Sequence, residues 1–208
     1  MSFGYRSCIV ALIVFCSAGA ASAQGEIELS VFAGYRDGGE VRVRATNEDF
    51  DFDGAETFGL HFDYEVGADK YVEFLWSRQQ TQVEGNTAAS QFDVDVDYFH
   101  LGAIADLGDD DKVRPYAGGG LGLTYFDPKE RGLSSDSRFS FSGAAGVRFR
   151  FGDHVGIRLE GRLFGTFVSS SGAIFCSGGS GGGGCSFGFS GGDVLWQYEG
   201  TVGLTLLF

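Results

Sequence analysis

The chain has 208 residues and a formal net charge of −13, a balance that excludes a phosphate-binding surface and with it nucleic acid as a partner. Its 35 glycines follow no period of three, which excludes collagen, and its 21 phenylalanines among plentiful Val and Leu exclude a disordered chain. The length suits one medium domain.

Residues 1–23 read as a secretory signal. Arg6 supplies the positive start, Cys8 to Phe15 the apolar stretch, and Ala21-Ser22-Ala23 a small-residue cleavage site, so the exported chain is expected to begin at Gln24. Phe15 directly before Cys16 fits a lipid-attachment signal badly. Cleavage removes Arg6 and no acid, which takes the formal charge to −14. It also removes two of the four cysteines and leaves Cys176 and Cys185, an expected disulfide in an exported protein. No other stretch approaches the ~20 apolar residues of a membrane helix.

From there the chain alternates with period two, the mark of strands whose two faces meet different environments. Ile27 to Tyr35 sets Leu29, Val31, Ala33 and Tyr35 against Glu28, Ser30, Phe32 and Arg36. Glu56 to Glu65 sets Phe58, Leu60, Phe62 and Tyr64 against His61 and Asp63. Lys70 to Gln80 sets Val72, Phe74 and Trp76 against Tyr71, Glu73, Leu75 and Ser77. Gln91 to Ala105 alternates Val94, Val96 and Tyr98 with Asp93, Asp95 and Asp97. Beyond Tyr98 the apolar parity shifts to Phe99, Leu101 and Ala103, for which a bulge is expected. Val113 to Phe126, Arg138 to Phe151 and His154 to Phe167 each oppose apolar residues to Arg, Glu, Ser and Gly. The last segment, Trp196 to Phe208, opposes Trp196, Tyr198, Val202, Leu204, Leu206 and Phe208 to Gln197, Glu199, Thr201 and Thr205.

These are eight segments, each about long enough to cross a bilayer at a tilt. The connections after the first, third, fifth and seventh are long and polar; those after the second, fourth and sixth are short. Outer-membrane barrels put short turns in the periplasm and long loops outside. The expected fold is an all-β, eight-stranded, antiparallel up-and-down transmembrane barrel over residues 24–208, with both chain ends on the periplasmic side.

The apolar parity then faces lipid, with Trp76, Trp196 and several Tyr at girdle positions. The other parity places Glu28, Arg36, Asp63, Glu73, Arg114, Arg148, Arg150, Arg158, Glu160, Arg162 and Glu199 in the lumen. A lipid-facing Arg at the midplane costs about 2–4 kcal/mol, and side chains fill the interior of an eight-stranded barrel. The Arg, Glu and Asp set is expected to pair into an internal ion network, with Glu199 against Arg158 or Arg162.

Gly34-Tyr35-Arg36 after the first strand, Pro115-Tyr116 opening the fifth, the signal segment and the terminal Phe208 make the chain resemble the small outer-membrane β-barrels of Gram-negative bacteria, the OmpA-like, opacity-porin-like domain. The resemblance covers the whole mature chain. It implies insertion by the outer-membrane assembly machinery with periplasmic chaperones, the machinery reading Val202, Leu204, Leu206 and Phe208. A monomer among outer-membrane lipid and lipopolysaccharide is expected. No peptidoglycan-binding domain is expected after the barrel, so cell-wall anchoring is not implied.

Other sites weigh less. Asp49, Asp51, Asp53 and Gly54 match the start of a calcium loop, but Leu60 stands where the twelfth-position Glu belongs, which leaves a solvated acidic loop and a weak metal candidate. Asp93, Asp95 and Asp97 read as an acidic inner rim facing Arg138 or Arg36. His61, His100 and His154 are the three histidines, and no Ser stands in a recognisable nucleophile motif, so no enzyme and no cofactor are expected. The reading is a structural or surface-interaction protein with a plugged lumen. A narrow OmpW-like channel for small or apolar solutes and an adhesin acting through the long loops are the alternatives.

Overall fold

The computed structural model describes residues 25–43, 48–84, 92–108, 110, 112–130, 134–168 and 193–208. The signal segment and Cys176 and Cys185 lie outside the described residues. Among the described residues ten strands form one antiparallel sheet: β1 (Ile27–Asp37), β2 (Glu40–Val43), β3 (Glu48–Phe52), β4 (Ala55–Gly67), β5 (Lys70–Glu84), β6 (Phe92–Asp106), β7 (Val113–Pro128), β8 (Asp136–Arg150), β9 (Val155–Val168) and β10 (Asp193–Leu207). Eight of them, β1 and β4 to β10, correspond to the eight predicted segments. They close into a barrel because β1 pairs with both β4 and β10 while β5 pairs with β6. The seam is fastened at the chain end: Ile27 N–H donates to the Phe208 carbonyl at 3.2 Å, and Phe208 N–H donates to the Ile27 carbonyl at 2.9 Å.

The alternation puts Val31, Leu101, Leu121, Leu159, Val202 and Leu204 on the exposed outer face, which is the lipid-facing band of a transmembrane barrel. Toward one end the outer face turns aromatic. Phe58 meets Trp76 edge-on at 5.9 Å, Phe141 meets Trp196 edge-on at 5.4 Å, and Phe139 stacks on Phe167 at 5.9 Å. The turn that joins β8 to β9 contains Gly152 at φ +82°, a left-handed conformation that costs glycine little. Phe151 N–H closes that turn on the Val155 carbonyl at 2.7 Å.

Two features depart from the sequence expectations. Residues 37–53, read as a polar connection, contain the β2–β3 hairpin. There β3 takes over from β4 as the partner of β5: β4 pairs up to Thr57↔Gln79, and β3 continues with Phe52↔Val83 and Asp51↔Glu84. The barrel wall therefore extends past the aromatic girdle.

The second departure is in β6. No bulge follows Tyr98: the pairing with β5 and with β7 runs without a shift from end to end. Val94, Val96, Tyr98, His100 and Ile104 are all buried in the interior, and Phe99 and Leu101 are exposed outside. The apparent change of parity has a simple cause. The lumen is apolar at the far end of the barrel and polar within the membrane, while the outer face is polar at the far end and apolar within the membrane. Asp93, Asp95 and Asp97 therefore stand on the outer face above the girdle, not on an inner rim. Arg78 binds Asp97 through two 2.7 Å hydrogen bonds, and Trp76 Nε1 donates to the same carboxylate at 3.0 Å.

Candidate functional site: the luminal charge network

The interior is built in layers by strand register. In the layer nearest the short turns, Arg148 on β8 donates to Glu28 Oε2 at 2.7 Å and also to Asp106. Arg150 donates to Glu26 at 2.6 Å and to Glu28 Oε1 at 2.7 Å, and Arg114 lies 3.6 Å from Asp106. The Arg148 guanidinium sits 4.4 Å from the Tyr71 ring centre and 5.1 Å from that of Tyr116, so aromatic faces cover what carboxylates leave open.

The middle layer is centred on Arg158. Its Nη1 donates to Asp63 at 2.7 Å, its Nη2 donates to Glu73 and to Glu160 at 2.5 Å each, and its Nε donates to the Tyr116 hydroxyl at 2.7 Å. Arg162 binds the other oxygens of the same two glutamates, Glu73 at 2.6 Å and Glu160 at 2.7 Å. Tyr116 donates its own proton to Glu160 at 2.7 Å. His61 Nδ1 lies 3.2 Å from Glu73 Oε2.

Above this, His100 is held between Ser142 and Ser140, one at each ring nitrogen and both at 2.8 Å, and Arg162 reaches the same Ser142 at 3.1 Å. The upper layer is Arg36 and Glu199, joined at 2.9 Å through Nε and 2.6 Å through Nη2, with Ser77 donating to the same oxygen at 2.8 Å. Tyr98 and Phe164 stack against one another at 4.1 Å and cover the Arg36 guanidinium. The lumen then ends in an apolar stop of Phe52, Val83, Val94, Val96, Phe126 and Leu195, each at most 7% exposed.

Glu28, Arg36, Asp63, Glu73, Arg148, Arg158, Glu160, Arg162 and Glu199 are thus buried in the lumen; Arg114 and Arg150 are half-buried at the end nearest the short turns. One pairing differs from expectation. Glu199 binds Arg36, because the β1–β10 register places the two residues directly opposite each other. Sequence reasoning missed Asp106 by ending its strand one residue short, and Glu26 because it stands just before β1. It placed Tyr71, Tyr116 and His61 on the luminal parity without giving them a part in the network.

His61, Glu73 and Glu160 offer ligand atoms within 4.8 Å of one another, an arrangement able to hold a metal. Arg158 Nη2 already bridges the two glutamates there, so the protein supplies its own cation. Asp49 and Asp51 belong to an extended strand paired with β2, where alternate residues are spaced about 7 Å along the chain rather than wrapped around one point. On the outer wall, a cleft of about 490 Å³ is lined by Asp53, Gln80, Gln82, Asp93, Asp95 and Lys129 among others. Hydrogen bonds from Lys129 to Asp127 and to Asp95 hold its ammonium above the ordinary lysine range.

The fold is similar to those of OprG from Pseudomonas aeruginosa (15% identity, 88% of this chain and 95% of that one, TM-score 0.59), AlkL in lipid bilayers (14%, 100% and 97%, 0.60) and Neisserial surface protein A (14%, 86% and 96%, 0.55). Identities this low speak for the fold alone. Comparison with curated proteins gives no match. Residues 8–204 match the model of the outer membrane protein beta-barrel domain, and the chain belongs to that family.

Proposed function

We propose that the protein is a closed outer-membrane barrel whose lumen is a plug and whose role is structural or exerted at the cell surface. The observation that carries this reading is the filled interior: three guanidinium–carboxylate layers topped by the apolar stop. A solute would have to break buried ion pairs, each costing about 3–5 kcal/mol when one partner is lost. Residues 1–23 act as the export signal, and the mature chain folds from residue 24 to residue 208. The long connections face outward, one stiffened by a Cys176–Cys185 bridge. Val202, Leu204, Leu206 and Phe208 serve as the assembly signal, the last held by its two backbone bonds to Ile27.

Planar-bilayer recording of the refolded barrel tests the central claim. The expected trace has no stable single-channel steps at neutral pH; large, long-lived steps would count for the narrow-channel alternative. The β2–β3 extension supports surface interaction, because it raises a continuous wall above the girdle. If the surface role holds, replacing residues 40–52 with a short turn will remove binding to cells or matrix while leaving the barrel folded.

A further inference from the structure

The middle layer does not balance. The upper layer pairs Glu199 with Arg36, and the lower one sets Glu26, Glu28 and Asp106 against Arg114, Arg148 and Arg150. Between them, Asp63, Glu73 and Glu160 bring three carboxylates to two guanidiniums, those of Arg158 and Arg162. All five are at most 6% exposed, as is His61. An uncompensated charge in such surroundings is expensive, and a titratable group neutralises instead. Two buried atoms of this layer, Asp63 Oδ1 and His61 Nδ1, have no hydrogen-bond partner, though His61 Nδ1 stands 3.2 Å from Glu73 Oε2.

A divalent cation at His61, Glu73 and Glu160 is the alternative filling. It would turn an excess of one negative charge into an excess of one positive charge, and Arg158 Nη2 occupies the space between the two glutamates. The count calls for a single positive charge. We propose that the folded barrel holds one proton in this layer, shared between Asp63 and the His61–Glu73 contact, and that the unfolded chain releases it. The charged groups around His61 are Glu73 on β5 and Glu160 on β9, together with Arg158 and Arg162 of β9, which bind those two glutamates; Asp63 follows two residues along β4, and the Phe32 ring of β1 packs at 4.7 Å. Tyr116 on β7 faces the far side of Arg158. The inference rests on the closed lumen of the previous section, because a wet lumen would supply a counterion instead.

Above about pH 7.5, a full unit beyond the ordinary histidine value of about 6.5, the free aspartate and histidine side chains have both essentially lost their protons. The folded barrel then carries one proton more than the unfolded chain, so its stability falls as pH rises until the layer lets the proton go. Asp63→Asn leaves two carboxylates against two guanidiniums and needs no proton. Urea unfolding of the full barrel in liposomes, from about pH 7.5 to about pH 9, compares the two. The wild-type unfolding constant is expected to rise about tenfold per pH unit relative to Asp63→Asn, and parallel pH dependences would overturn the proposal. Should Asp63→Asn fail to fold, the wild type decides alone. At about pH 8, infrared and ¹⁵N spectra must show a protonated carboxyl or a His61 imidazolium, and the absence of both overturns it. Bilayer conductance recorded alongside separates the two readings: a silent barrel with parallel slopes refutes the proton only, and a conducting one refutes the plug.

Discussion

Arg158 is the residue on which the interior turns. It meets three carboxylates and a tyrosine hydroxyl in a space that excludes water. Arg158→Met keeps most of the volume but leaves those carboxylates with Arg162 as their remaining guanidinium. The expected loss is about 3–5 kcal/mol, read from urea unfolding in liposomes. Small residues are as specific as large ones here. Gly146 lies between Tyr116 and Glu160 in the strand register, and a Cβ there would run into the Tyr116 hydroxyl. Gly146→Val is expected to push Tyr116 off Arg158 and cost about 1–3 kcal/mol. Gly143, three residues earlier, faces outward, with open space around its Cβ position. Gly143→Val is expected to fold as the wild type does in the same assay, and equal losses at both sites would refute the packing account.

At the scale of elements, the strand that ends the chain carries both the seam and its best internal pair. Its register with β1 sets Arg36 against Glu199 and brings Phe208 beside Ile27. Deleting Phe208 is expected to slow assembly strongly in cells while the barrel refolded in detergent keeps its heat-resistant gel mobility; normal assembly in cells would overturn its role as a signal. The eight long strands were legible because a lipid face and a luminal face impose opposite chemistry on alternate residues. Where that contrast reverses, reading failed. In β6 the reversal beyond the girdle looked like a bulge, although Val96, Tyr98 and His100 share one continuous face. The β2–β3 hairpin was hidden for a related reason: Glu40 to Phe52 is rich in charge, as strands outside the membrane are free to be. The members of the charge network were visible from parity, but their partners were not, since pairing across the lumen depends on stagger between strands far apart in sequence.

For the whole molecule, the arrangement inverts that of a soluble barrel within the membrane and restores it beyond. An outward charge in the middle of the lipid band is therefore expected to be costly: Leu121→Arg should destabilise the inserted barrel by about 2–4 kcal/mol, measured by urea unfolding in liposomes, with Tyr125→Arg at the girdle costing less. The outer fringe of Asp93, Asp95, Asp97 and Asp127 has a bearing on the molecule's history as well as its state. A barrel inserted from the periplasmic side must thread those carboxylates, with Arg78 and Lys129, through hydrocarbon once. To leave by the same route it would have to do so again. The fringe then works as a barb: it adds little to the equilibrium depth of the well and much to the height of its wall, so the protein's lifetime in the membrane is governed by a rate of escape.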